Sequence, residues 1–132
     1  MIPPCEIASK TVIPAIKATI AIELVERHRL KQNHIAQILG ISQSAVSKYT
    51  RGVRGHIVRI ESTSKIQPLI ANMVNLLLEE NTDKTDFLKL FCQTCSTIRQ
   101  EGLMCQFCQR TEPKAIKEEC RFCFDFDPPS HP

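Results

Sequence analysis

Apolar residues in the first half of the chain recur at helical spacing. Ile16, Ile20 and Leu24, with Ala21 and Val25 beside them, fall on one face of a segment from Ile13 to His28. Pro14 lies in its first turn, where a backbone N–H has no intrahelical partner to lose. Shorter amphipathic runs follow at Gln32 to Leu39 and at Gln43 to Thr50. Arg51-Gly52-Val53-Arg54-Gly55-His56 then reads as a loop, because two glycines interrupt the periodicity. A fourth helix is predicted from Ile66–Pro68 to about Glu80, with Leu69, Met73, Leu76 and Leu77 on one stripe. A fifth is predicted over Asp86 to Gln100, closed by Gly102. The pattern is helical, and the expected fold class is all-α.

The pair Gln32–Leu39 and Gln43–Thr50 has the layout of a helix-turn-helix, and each special position has a physical reason. Ala36 is small enough to let the two helices approach. Gly40 sits at the turn, where a positive φ favours glycine. Ile41 is an apolar plug, and the Ser42 hydroxyl can cap the second helix. Ile35, Ile38, Leu39, Val46 and Tyr49 are expected to face inward. Gln43, Ser44, Ser47 and Lys48 are left at the outer face of the second helix, the positions from which such a helix reaches base edges in the major groove. Glutamine can pair with adenine, and lysine can reach guanine or a phosphate. Gln32, Arg51 and Arg54 complete the expected DNA-binding set, with Arg59 and Lys31 as further phosphate contacts. Lys31 stands where a serine or threonine cap would be expected, so the first turn of the first helix needs another partner for its N–H groups.

Charge changes this picture by localising it. Residues 1–64 hold nine Lys/Arg against four Glu, a net +5, whereas residues 65–132 hold eight Lys/Arg against ten Asp/Glu, a net −2. The basic half is the half with the two short helices, as a polyanion partner requires. His28, His34 and His56 are expected on its surface, His56 within reach of a phosphate. With no tryptophan and one tyrosine, an aromatic platform for single-stranded bases is not expected.

On these residues a resemblance can be drawn. Residues 32–51 resemble the phage-repressor-like class of helix-turn-helix. The wider stretch, from Pro4-Cys5-Glu6 through Val12-Ile13-Pro14-Ala15-Ile16 to Gly52-Val53-Arg54-Gly55, resembles a group of predicted archaeal transcriptional regulators. Their helix-turn-helix is similar to one attached to thiamine-phosphate synthase domains, although no such domain fits in this chain. The resemblance extends more loosely to Phe91-Cys92-Gln93-Thr94-Cys95 and Gly102-Leu103-Met104-Cys105. It implies a dimeric DNA-binding regulator and supplies no effector.

Seven cysteines require a separate account. Six form three Cys-x-x-Cys pairs, Cys92/Cys95, Cys105/Cys108 and Cys120/Cys123. On a helix, residues three apart share a face at about 5–6 Å between Cβ atoms, within reach of one metal with bonds of about 2.3 Å to sulfur. No export signal is visible at the N-terminus, so metal ligation is favoured over structural disulfides. Six thiolates exceed one zinc site. Four can bind zinc with the last pair spare, switchable or shared across a dimer, His131 being a further donor; four can instead hold an iron–sulfur cluster; or the pairs can cycle as disulfides. Phe91, Phe107, Phe122, Phe124 and Phe126 crowd these cysteines, as a small core or as a low-dielectric shell. Cys5 is isolated and is expected to be a buried, unreactive thiol.

The expected organisation is a phage-repressor-like helix-turn-helix domain over 1–64, a helical linker or dimerisation segment over 65–90, a cysteine-rich metal-binding module over 91–126 and a disordered tail over 127–132. The leading expectation is a cytoplasmic, dimeric transcriptional regulator of double-stranded DNA, with zinc or alternatively an iron–sulfur cluster that makes it a redox or iron sensor. A second alternative is a protein-interaction module that has lost DNA binding, which the basic half disfavours. Enzyme activity is not expected: no Gly-rich phosphate loop, Gly-x-Ser-x-Gly or His-Glu-x-x-His occurs. The longest apolar stretch, Ala18 to Val25, is too short for a bilayer and carries Glu23, so no membrane partner is expected.

Overall fold

A computed structural model describes residues 4–52, 60, 64–79, 83–111 and 123. Every described element is an α-helix: α1 (Pro4–Lys10), α2 (Val12–Glu26), α3 (Gln32–Leu39), α4 (Gln43–Thr50), α5 (Gln67–Leu78), α6 (Lys84–Gln100) and α7 (Cys105–Thr111). The all-α expectation holds. Arg54, Arg59, His56, Cys120, His131 and the phenylalanines at 122, 124 and 126 lie outside the described residues.

The bundle is organised around α2. The sequence pattern gave this helix one apolar face, but Val12, Ala15, Ile16, Ala18, Ile20, Ala21 and Leu24 are all buried. At 100° per residue these positions encircle the axis, the arrangement of a helix interior to a fold. Its neighbours are α1, α3, α4, α5 and α6. The helix begins at Val12, one residue earlier than its periodicity indicated, and Pro14 sits in the first turn as expected. Thr11 separates α1 from α2 and caps neither in the usual way. Its hydroxyl donates back to the Ile7 carbonyl at 2.8 Å, satisfying an acceptor at the end of α1.

The two short helices begin and end where the sequence placed them, and their stop and start signals are visible as hydrogen bonds. Gly40 adopts φ 66°, ψ 34°, and the Ile41 N–H then donates to the Ala36 carbonyl at 3.0 Å, closing α3. The Ser42 hydroxyl accepts from the Ala45 N–H at 3.0 Å and caps α4. The missing cap at Lys31 is replaced by Asn33, whose Oδ1 accepts from the His34 N–H at 2.9 Å. Ile35, Val46 and Tyr49 are buried as expected, while Ile38, Leu39 and Ile41 are half-buried.

The second half packs onto the same helix. α6 starts two residues earlier than its periodicity indicated because Asp83 caps it, accepting from the Thr85 N–H at 2.9 Å. It ends at Gln100 and is closed by Gly102, with φ 78°, where the Leu103 N–H reaches the Ile98 carbonyl at 3.4 Å. On α5, Ile70, Met73 and Val74 are buried against the rest of the chain, and Leu69, Leu76 and Leu77 are half-buried. Met73 Sδ lies 4.0 Å from the Thr94 hydroxyl of α6. Of the stripe expected to form a dimer contact, Met73 and Leu77 therefore pack within the chain. Ile16, Ile20 and Val46 share one buried cluster with Ile70, Met73, Ile98 and Met104, so the core spans residues on both sides of position 64. Lys65 Nζ pairs with Glu101 Oε1 at 3.1 Å across the ends of α5 and α6.

A Cβ added at Gly40 would meet nothing within 4 Å, so only the backbone resists substitution there. Gly40→Ala is expected to lower stability by about 1–2 kcal/mol, the cost of the left-handed conformation for an L-residue, and Gly40→Asn by less. Urea denaturation measures both; equal stability of Gly40→Ala and the parent chain would contradict the turn geometry.

Candidate nucleic-acid interface and thiol cluster

The polar end of the bundle is built on α4. One face of this helix buries Val46 and Tyr49, and its neighbours are α2 and α3. Away from that contact, Gln43 and Ser44 are exposed, while Ser47 and Lys48 are half-buried. None of the four is among the buried residues of α4, which are Val46 and Tyr49. Gln32, at the start of α3, is also half-buried. Arg51 is exposed but is not simply extended toward solvent. Its Nε donates to the Ser47 carbonyl at 3.3 Å, and the Thr50 hydroxyl donates to the same carbonyl at 3.1 Å. These bonds satisfy an acceptor in the last turn of α4.

The stretch of sequence that contains this helix carries charge of one sign. From Arg27 to Ile60 the chain contains seven Lys/Arg and no Asp or Glu. Arg27, Arg29, Lys31, His34 and Arg51 within it are exposed, as expected for Lys31 and His34. Arg27 pairs with Glu23 at 3.2 Å, one turn earlier on α2. Exposed amide and hydroxyl groups at the start of α4, in a stretch of sequence whose charged side chains are all cationic, suit a polyanion that is also read by hydrogen bonds.

A second group of chemically active side chains lies on α6, on α7 and at Cys123. Cys92 and Cys95 are one turn apart on α6, Cys92 exposed and Cys95 half-buried. Cys105 and Cys108 are both on α7, a helix the sequence pattern did not reveal, and both are half-buried. Cys123 is half-buried as well, whereas its pair member Cys120 lies outside the described residues.

The organising group is one the sequence pattern missed, Arg99. It is only 6% exposed, and its Nε donates to Cys123 Sγ at 3.4 Å. Burial works against the guanidinium charge, but the bond to Cys123 and the neighbouring Cys123, Cys95 and Cys5 outweigh it and hold the proton more firmly than usual. Burial likewise pushes the Cys95 thiol up, against the charge and hydrogen bond of Arg99; Cys92 and Cys5 add to the rise. One signal for Arg99 was present in the sequence: with Cys92 and Cys95 it follows the i, i+3, i+7 spacing of a single helix face.

Cys5 also departs from expectation. It is exposed rather than buried, and it acts electrostatically on both Cys95 and Arg99. Its helix, α1, packs against α7. Five of the six paired cysteines are thus among the described residues, on α6, on α7 and at Cys123, and Cys5 from the opposite end of the sequence lies on α1. Phe91 and Phe107 pack beside them on the core, and the Phe87 and Phe91 rings are tilted at 6.0 Å between centroids. Among the described residues, no three His, Cys, Asp or Glu side chains converge closely enough to hold a metal ion. No described helix is long and apolar enough to cross a membrane.

No protein-family model, curated protein or solved structure matches the chain.

Exposure orders the thiols. In the metal-free chain Cys5 and Cys92 are expected to react with iodoacetamide before Cys95, Cys105, Cys108 and Cys123, as read residue by residue by peptide mass spectrometry after short labelling times. Uniform labelling of all six would contradict the packing of α7 and Cys123 against the core.

Proposed function

We propose that this chain is a sequence-specific, DNA-binding transcriptional regulator of helix-turn-helix type that reads the major groove with α4. The observation that carries this reading is the division of α4 into a buried face and an exposed polar start, Gln43 and Ser44, inside a stretch of chain with no acidic residue. Gln43 is the candidate for a bidentate contact to adenine, with Ser44, Ser47 and Lys48 reading or positioning beside it. Gln32, Arg51 and Arg54 contact the phosphate backbone.

The regulator acts as a homodimer, with two copies of α4 about 34–36 Å apart on a pseudo-palindromic site. Because Met73 is used inside the chain, the contact between copies falls to the apolar side chains that α5 and α6 leave outside, Leu78 and Leu88.

The cysteines hold a metal. Cys92, Cys95, Cys105, Cys108, Cys120 and Cys123 are the donor set, which in chemistry fits zinc or, alternatively, an iron–sulfur cluster. What supports this part of the reading is the Cys-x-x-Cys spacing, which puts Cys92 and Cys95 one turn apart on α6 and Cys105 and Cys108 one turn apart on α7. Zinc would staple the C-terminal helices, whereas a cluster would make the protein responsive to iron or oxidants. The polypeptide itself supplies the thiolates, their burial and the compensating charge of Arg99.

Gel-shift titration with genomic fragments tests the assignment. Gln43→Ala and Lys48→Ala are each expected to weaken binding by about 5- to 150-fold, corresponding to about 1–3 kcal/mol for a lost base contact. Glu79→Ala, outside the surface, is expected to bind as the parent does. Equal affinity of all three variants would refute α4 as the reading helix, and no binding to any fragment would favour the protein-interaction alternative.

A further inference from the structure

Among the described residues the left-handed backbone region is occupied by three glycines, Gly40, Gly52 and Gly102, and by one residue with a side chain, Arg29, at φ 53°. A Cβ is resisted in that region, so glycine is its usual occupant. The turn at residue 29 requires the conformation. The Arg29 N–H donates to the Val25 carbonyl at 3.1 Å, and the Leu30 N–H donates to the Leu24 carbonyl at 3.1 Å. These bonds close the last turn of α2. Leu30 then packs, half-buried, against the core, and α3 begins two residues later at Gln32. The backbone of residue 29 is thus fixed from both sides, and a glycine would meet the same demand with less strain.

The Arg29 side chain does not explain its own presence through the fold. It is exposed, and among the described residues no carboxylate pairs with it. Arg27, two residues earlier, differs, because Glu23 holds it at 3.2 Å. Arg29 also belongs to the stretch from Arg27 to Ile60 that contains no Asp or Glu. Strained residues persist where a side chain serves a site rather than the packing.

We propose that Arg29 is a phosphate-binding residue, which the left-handed turn at the end of α2 presents to the DNA backbone beside the groove that α4 reads. The inference rests on the reading of α4 as a DNA-reading helix and adds a contact outside the two helices of the motif. In a helix-turn-helix the first helix of the pair crosses the backbone while the second enters the groove. Arg29 stands just ahead of that first helix, α3. Its guanidinium carries a permanent charge and a planar set of donors that matches a phosphate. A backbone already fixed at this position lowers the ordering cost of the contact. Such a contact positions the protein without reading sequence, so its loss weakens binding to every duplex alike.

The experiment compares the full chain with Arg29→Gly, Arg29→Lys and Gln43→Ala. Stability is read by urea denaturation. Binding is read by fluorescence anisotropy over about 50–200 mM potassium chloride. Two labelled duplexes are used: a random sequence of about 30 base pairs, roughly three helical turns, and the genomic fragment that the parent binds best. Arg29→Gly is expected to raise the ratio of folded to unfolded chain by about two- to tenfold. It is also expected to bind both duplexes about three- to tenfold more weakly at about 100 mM salt, with a log–log salt slope shallower by about one. Arg29→Lys restores most of the slope. If Arg29→Gly keeps the parent affinity and slope while Gln43→Ala still weakens binding to the genomic fragment, the phosphate contact is refuted and the reading of α4 stands. A less stable Arg29→Gly would show that the guanidinium supports the fold and would overturn the inference from the turn. If the parent binds neither duplex, the contact and the reading of α4 fail together.

Discussion

Ile16, Ile20 and Leu24 are fully withdrawn from water along one flank of α2, and Ala15, Ala18 and Ala21 are buried on the others. The large side chains supply burial of about 1.5–3 kcal/mol each. The alanines keep the remaining flanks shallow, so that neighbouring helices can close around the axis. A helix enclosed in this way cannot shift toward one neighbour without disturbing the rest, because cores are close-packed. Three further helices are placed relative to it: α4 by Val46 and Tyr49, α5 by Ile70 and Met73, α6 by Ile98.

That arrangement puts two different chemistries on one support. One is α4, which buries Val46 and Tyr49, exposes Gln43 and Ser44, and lies in an acid-free stretch of sequence. The other is a group of thiols with a buried guanidinium. The opposite charge of the two halves of the sequence is spatially meaningful in this frame. The proposed regulator needs its cations at the surface facing DNA. The thiol end needs only the single buried cation that an anionic centre can offset.

Local signals were the most legible. Gly40 and Ser42 act through their own backbone and side chain, so the limits of α3 and α4 could be read directly, as could the stop at Gly102. Asp83 lengthened α6 by a cap just beyond the periodic segment. Less legible was everything decided by packing between distant parts of the chain. Ala15 and Ala18 carry too little apolar character to mark a buried face, so α2 looked one-sided. Leu69, Met73 and Leu76 have the same spacing whether they meet a second copy or the chain's own α6. The cysteine spacing drew attention away from the helical potential of residues 105–111. Cys5 was misjudged because a solitary cysteine is most often buried, and its neighbours, Cys95 and Arg99, come from the far end of the sequence. The pairing of Cys-x-x-Cys motifs was plain from spacing, whereas Arg99 belongs to no motif and is marked only by its burial and its bond to Cys123.

The central claim is that the α4 end and the thiol end share one core through α2. Native-state hydrogen exchange on the parent chain and on Ile20→Ala tests it most directly. The substitution removes a side chain with no exposure, from the middle of α2, and is expected to cost about 2–5 kcal/mol. If the core is shared, the slowest amides of α4 and of α6 lose protection together and by the same amount. Loss confined to α3 and α4, with the amides of α6 unchanged, would show two independent units and contradict the account.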